Sequence, residues 1–197
     1  MPDVPVRGAH LLAATTELIA ASGLGGVSIR AVAAQAGVSL AQVQYYFRTK
    51  EALVEAAFEW HSTQFAAELA SLLEAAPSPE RLRRLVDCWL PLDPRREDRT
   101  RIWLAFVQTA ALHPSVAARS AELDRDLRAW FASDLHDLDQ RGLVFVADPA
   151  VTAAQLLALV DGVGTQALSL TVEDRRALVA QTIDPFLDNI AVTGAGE

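Results

Sequence analysis

Hydroxyls, amides and cations crowd one short stretch of this chain: Ser28, Arg30, Ser39, Gln42, Gln44, Tyr45, Tyr46 and Lys50. As a set these groups suit phosphate oxygens, and a glutamine carries the paired donor and acceptor that match an adenine edge. The adjacent Tyr45 and Tyr46 are all the tyrosine in the sequence. Two positions have competing readings. Gln42 either reaches outward to a base or a phosphate, or folds back to close a capping box on Ser39. Tyr45 either faces out or packs against the first helix.

Catalytic chemistry finds no comparable footing. There is no Gly-x-Ser-x-Gly elbow, no His-Glu-x-x-His pair and no phosphate-binding glycine loop. Gly162-x-Gly164 lacks a preceding strand and a third glycine, and His136, Asp137 and Asp139 scatter around a helix. Cys88 is the single cysteine, with no cue to activation, and it excludes an intrachain disulfide. The expectation is a protein that is not an enzyme, with no cofactor and no metal.

The elements that must position the polar cluster are legible from punctuation. Apolar residues recur at Leu11, Leu12, Thr15, Leu18 and Ile19 with helical period, and Gly23 stops that helix. Ser28 caps a short helix through Gln35, Gly37 turns the chain, and Ser39 caps a second helix running to Phe47. Two helices crossing near a right angle need a small residue at the crossing, a residue tolerant of φ > 0 in the turn, and a branched apolar residue beneath the second helix. Ala33, Gly37 and Val43 supply these, with Val32, Val38 and Phe47 completing a small core. In such a helix-turn-helix the N-terminal end of the second helix enters the major groove.

Beyond it, Thr49 caps a long helix to about Ala76, and Ser78-Pro79 opens a helix to about Leu90. A polar loop is expected over Pro91–Asp98. Helices then follow over Thr100–Leu112 and over Ser115–Arg141, the latter ended by Gly142. Leu143–Ala147 is expected to be briefly extended, Asp148-Pro149 opens a helix to about Leu170, and Thr171 opens the last, which Pro185 kinks or restarts. The fold expected is all-α, with about nine helices.

Composition agrees. The chain is 51% hydrophobic and rich in Ala and Leu, which favours helix. Its net charge of −8 alone argues against nucleic acid, yet residues 1–50 hold Arg7, Arg30, Arg48 and Lys50 against Asp3 and Glu17, while the acidic excess lies beyond them. A mildly basic head on an acidic body suits DNA contact at one end. Met1–Val6 does not read as a signal peptide, and Val151–Leu170 carries Asp161 near its middle, so no membrane span and a cytoplasmic protein are expected.

The run Ser28-Ile-Arg-Ala-Val-Ala33, Gly37-Val-Ser39, Val43-Gln-Tyr-Tyr-Phe-Arg-Thr-Lys-Glu-Ala-Leu53 resembles the DNA-binding domain of TetR-type regulators over roughly residues 7–55. One residue departs from the pattern: the family usually has Tyr where this chain has Gln44. The resemblance implies a helix-turn-helix domain at residues 1–50 and a helical effector-binding and dimerisation domain at 51–197. It implies that Ser28 and Arg30 contact backbone or bases, that Gln42 and Gln44 read bases, and that Ser39, Tyr45, Tyr46 and Lys50 grip phosphates. The partners it implies are a double-stranded DNA operator, a second copy of the chain and a small-molecule effector that releases the repressor. A helical module with a degenerate helix-turn-helix is the alternative.

The segment Ile102–Pro114, with Leu159-Val-Asp-Gly-Val-Gly164, looks like the subgroup that includes the choline-responsive BetI repressors, and leaves the effector open. Trp89, Trp103, Phe106 and Trp130 are candidate pocket walls or plain core. Gln108, His113 and Asp161 are the candidate polar groups, and Asp161 is either paired internally or aimed at a ligand. Gln155, Ala158, Gly162, Thr165 and Ser169 form a small-residue stripe at heptad spacing, fitted to close approach of another helix in a dimer or within the chain.

Overall fold

The computed structural model describes residues 8–112 and 114–191. Among them the chain forms nine α-helices and one short 3-10 turn. α1 is Ala9–Ser22, α2 Ile29–Gln35, α3 Leu40–Tyr46, α4 Lys50–Leu73 and α5 Pro79–Asp87. α6 is Pro94–Leu112, α7 Pro114–Gln140, α8 Pro149–Ala167 and α9 Val172–Ile190. The 3-10 turn, Leu24–Gly26, joins α1 to α2.

Side-chain caps start these helices where the sequence predicts them. Ser28 Oγ accepts from Ala31 N at 3.0 Å, Ser39 Oγ from Gln42 N at 3.2 Å and Thr49 Oγ1 from Ala52 N at 3.1 Å. Ser78, Asp148 and Thr171 do the same for α5, α8 and α9. Each satisfies one of the orphan N–H groups of a first turn, typically about 1 kcal/mol of stability.

The expected polar loop over Pro91–Asp98 is the one clear misreading. α6 already begins at Pro94, because Asp93 Oδ1 accepts from Arg96 N at 2.9 Å and Pro94 supplies a preset first helical φ. Asp93-Pro94 follows the same grammar as Ser78-Pro79 and Asp148-Pro149. Two features of the last third match the expectation. Gly142 has φ 67°, and the extended piece after it pairs Val144 with Ala191 in an isolated antiparallel bridge. Pro185 sits inside α9 without ending it.

Two apolar cores result. The first joins α1–α3 to Leu53, Val54, Ala57 and Phe58 of α4 and to Ile102, Ala105 and Phe106 of α6. The second gathers Leu82 and Val86 of α5, Phe131 and Leu135 of α7, Leu156, Val160 and Val163 of α8, and Val179 and Ile183 of α9. Ion pairs tie helices across these cores: Arg81 with Asp134, which is buried, and Arg99 with Glu68 and Arg175 with Glu97, which are half-buried. Thus α4 and α6 are rooted in the core of the N-terminal head and continue past it into the body.

Candidate nucleic-acid interface and effector cleft

α2 ends in a Schellman motif built on Gly37, whose φ is 67°. Gly37 N donates to Ala34 O at 3.3 Å and Val38 N donates to Ala33 O at 2.9 Å. The turn crosses α3 over α2 with Ala33 and Val43 buried at the contact. Gln35 Nε2 donates to Glu17 Oε2 at 2.8 Å, fastening α2 to α1.

This packing leaves the polar cluster outside. Ser28, Arg30, Ser39, Gln42 and Gln44 are exposed, and Tyr45 is 81% exposed. Tyr45 therefore faces solvent rather than packing on the first helix, its ring edge-on to Tyr46 at 5.1 Å. The capping box is half formed: Ser39 caps α3, but among the described residues no bond returns from the Gln42 side chain, so its amide is free. Tyr46 is half-buried against the head core, and Lys50 is placed differently again. It is half-buried, and its Nζ donates to Leu24 O at 2.7 Å. Sequence reasoning missed Leu40, which is 46% exposed on the first turn of α3, an apolar group of the kind that meets a thymine methyl.

In the body, the structure brings Trp89, Trp103 and Asp161 together around one narrow cleft, with Arg99, Leu104 and Thr165. Trp103 Nε1 donates to Asp161 Oδ1 at 3.2 Å. Burial of the carboxyl pushes Asp161 above the usual carboxylate range, against that hydrogen bond. The space enclosed is about 20 Å³, room for a water or two.

The other expected wall residues lie elsewhere. Phe106 belongs to the head core, edge-on to Phe58 at 4.9 Å. Trp130 stacks edge-on to Phe131 at 4.7 Å beside the second core. Gln108 is exposed on α6, and His113 lies outside the described residues.

Sequence reasoning also missed a second, larger chamber of about 260 Å³ between α4 and α6. Trp60, His61, Gln64, Phe65 and Glu68 line it from α4, and Arg95 and Arg99 from α6. The signal was there: residues one, four, five and eight apart share one helix face, as do Arg95 and Arg99 at i,i+4. Arg99 separates the two spaces. Its guanidinium lies 4.1 Å from the Phe65 ring centre, and it donates to Cys88 O at 2.7 Å and Glu68 Oε2 at 2.6 Å.

On α8, every member of the small-residue stripe, Gln155, Ala158, Gly162, Thr165 and Ser169, is exposed on the single chain. Leu156, Leu157, Val160, Val163 and Ala167 are buried on the opposite face. A Cβ added at Gly162 meets nothing within 4 Å.

Residues 11–57 match the family model of bacterial regulatory proteins of the tetR family. Residues 78–191 match that of the C-terminal part of BetI-type transcriptional repressors. The chain is 32% identical over 170 residues to the HTH-type transcriptional regulator BetI of Pseudomonas paraeruginosa, covering 82% of this chain and 83% of that one. A transcriptional regulator from Rhodococcus superposes with a TM-score of 0.79 at 28% identity, over 94% of this chain and 98% of that chain. A regulator from Saccharomonospora viridis in complex with choline superposes with a TM-score of 0.84 at 24% identity, over 95% and 98% of the two chains.

Proposed function

The chain belongs to the TetR family of helix-turn-helix transcriptional regulators, and from that premise we propose that it is a dimeric repressor released from a pseudo-palindromic operator by a small-molecule effector. Regulators of this family bind DNA and act as dimers. The observation that carries the reading for this chain is the exposed polar face of α2 and α3, held on a buried Ala33–Val43 crossing.

The division of labour follows the chain, with residues 1–50 on DNA and 51–197 carrying effector and dimer contacts, in the cytoplasm. Gln42 and Gln44 read bases in the major groove, with Leu40 beside them. Ser28, Arg30, Ser39, Tyr45 and Tyr46 hold the backbone, and Lys50 braces the head while its remaining N–H groups point to phosphate. The stripe on α8, with α9 beside it, packs against its copy and sets two recognition helices about 34–36 Å apart.

Release follows from α4 and α6. Both are rooted in the head core; together they border the chamber, and α6 also borders the cleft, so an effector that spreads them moves the head. It lowers DNA affinity to the extent that it binds the released arrangement better. Kinship to a choline-binding regulator puts an organic cation among the effectors to try, and Trp103 with Asp161 is the matching pair of groups.

The test is selection of bound DNA from genomic fragments, followed by a gel shift over a salt series. Specific binding that falls steeply with salt is expected. No specific shift of any fragment at low salt would sink the reading.

A further inference from the structure

Resting on the effector reading above, we propose that the α4–α6 chamber is the effector site and that it takes a small, flat carboxylate rather than an organic cation. The chamber is the larger of the two spaces, about 260 Å³ against about 20 Å³ for the Trp103–Asp161 cleft. A compact ring acid fits that scale, somewhat below the range of drug-sized sites.

Charge selects the ligand class. Arg95 and Arg99 both donate to a single acceptor atom, Glu68 Oε2, at 3.0 and 2.6 Å. Two guanidinium groups against one carboxylate leave one positive charge. Of the two aromatic residues in the lining, Phe65 is closed to a cation, because Arg99 covers its ring and is anchored to the Cys88 carbonyl. An incoming cation meets two guanidinium groups and a filled Phe65 face. An incoming carboxylate meets Glu68, but that charge is already outweighed by Arg95 and Arg99.

Two groups are ready to receive it. His61 Nε2 is a buried polar atom with no hydrogen-bond partner among the described residues, which is rare for buried polar atoms. Burial, with Arg99 beside it, holds that imidazole down to about 4, so at neutral pH it is uncharged and has one N–H to give. Arg95 is 77% exposed at the chamber mouth and spends one N–H on Glu68. A carboxylate accepting from His61 Nε2 and from a remaining Arg95 N–H satisfies both, with Trp60 as the flat wall. The site also lies on the lever. Leu53, Val54, Ala57 and Phe58, upstream on α4, are head core, and so is Ile102 on α6, downstream of Arg99.

Titration calorimetry of the full chain with sodium benzoate, sodium phenylacetate and tetramethylammonium chloride tests this. At least one of the two acids is expected to bind saturably. Arg95→Gln and His61→Phe should each weaken it about tenfold or more, while Arg119→Gln, at an exposed guanidinium on α7, leaves it unchanged. The His61 imidazole should titrate at higher pH when the acid is bound, a shift readable by NMR. Arg95 is exposed, so its variant keeps the fold.

Saturable tetramethylammonium binding, acid binding indifferent to Arg95 and His61, or no binding of either acid overturns the proposal. A gel shift with the selected DNA separates the two claims. An acid that binds without altering the shift defeats the effector reading, and a protein that still shifts its DNA but binds no acid defeats only the chamber.

Discussion

Lys50, the first residue of α4, donates from Nζ to the Leu24 carbonyl oxygen at 2.7 Å, so the helix that leaves the head is tied back to the turn after α1. The bond is half-buried and charge-assisted, which puts Lys50→Met at about 1 kcal/mol of lost stability. If a phosphate also meets this ammonium, the same variant lowers the slope of log affinity against log salt by about 0.9. A chemical melt and a salt series read the two roles separately. An unchanged melt would remove the brace.

The roles proposed for Gln42 and Tyr45, base reading and backbone grip, make different predictions. Gln42→Ala should cost about 1–3 kcal/mol at one base pair of each half-site and leave other positions alone. Tyr45→Phe removes a hydroxyl from a ring that is 81% exposed and edge-on to Tyr46, so it should weaken all sequences alike. Binding to an operator library measures both, and a uniform loss for Gln42→Ala would take base reading away from it.

The head was legible because short-range rules decide it. Ser28, Ser39 and Thr49 announce caps, Gly37 announces a positive φ, and Ala33 and Val43 stand at the crossing. The body was legible as helices but not as a site. The start of α6 was hidden inside charged residues, Pro94-Arg-Arg-Glu-Asp, whose composition imitates a loop until Asp93 is seen as a cap. Arg99 then went unnoticed, since its partners Glu68, Phe65 and Cys88 come from other parts of the chain. Phe106 and Trp130 show the converse: aromatic character does not reveal which side of a helix meets a cavity, and only packing against Phe58 and Phe131 places them.

Arg81 and Asp134 form a buried ion pair between α5 and α7, and Arg81 Nε and Asp134 Oδ2 have no hydrogen-bond partner among the described residues. Removing one member strands a charge. Arg81→Ala should therefore cost about 3–5 kcal/mol, whereas Arg81→Met with Asp134→Leu should be near neutral or stabilising by about 1–4 kcal/mol. Urea melts of the three proteins decide it. A double variant as unstable as the single one would mean that the pair is a net stabiliser.

Two groups give stability an acid limb in separate windows. Burial holds His61 at about 4, below its ordinary 6.5. The unfolded chain therefore binds the extra proton first, and stability is lost as pH falls from 6.5 toward 4. Hydrogen bonds from Arg175 and then Arg101 hold Glu97 at about 2, below its ordinary 4.5. Its share is present above 4.5 and is lost on descent toward 2. Asp134, pushed up by burial, acts in the opposite sense just above the ordinary carboxylate range. Urea midpoints against pH should lose the upper limb in His61→Gln and the lower in Glu97→Gln. An unaltered profile in either variant would reject that assignment.

The α8 stripe gives the sharpest test of assembly, because none of its residues is buried within one chain. Gln155, Ala158, Gly162, Thr165 and Ser169 are exposed, and a Cβ at Gly162 has open space around it. Gly162→Ala should therefore raise the stability of α8 by about 0.5–1 kcal/mol in the isolated chain through backbone entropy. Small residues at heptad spacing serve a close helix approach, and side chains larger than a methyl keep two helices apart. Ala158→Glu and Gly162→Leu should thus leave helicity intact, convert the dimer to monomer in sedimentation equilibrium, and weaken binding to a two-half-site operator far more than to a single half-site. A variant that stays dimeric with both side chains enlarged would move the interface off this face. A variant that unfolds would show that the stripe is packed within the chain instead.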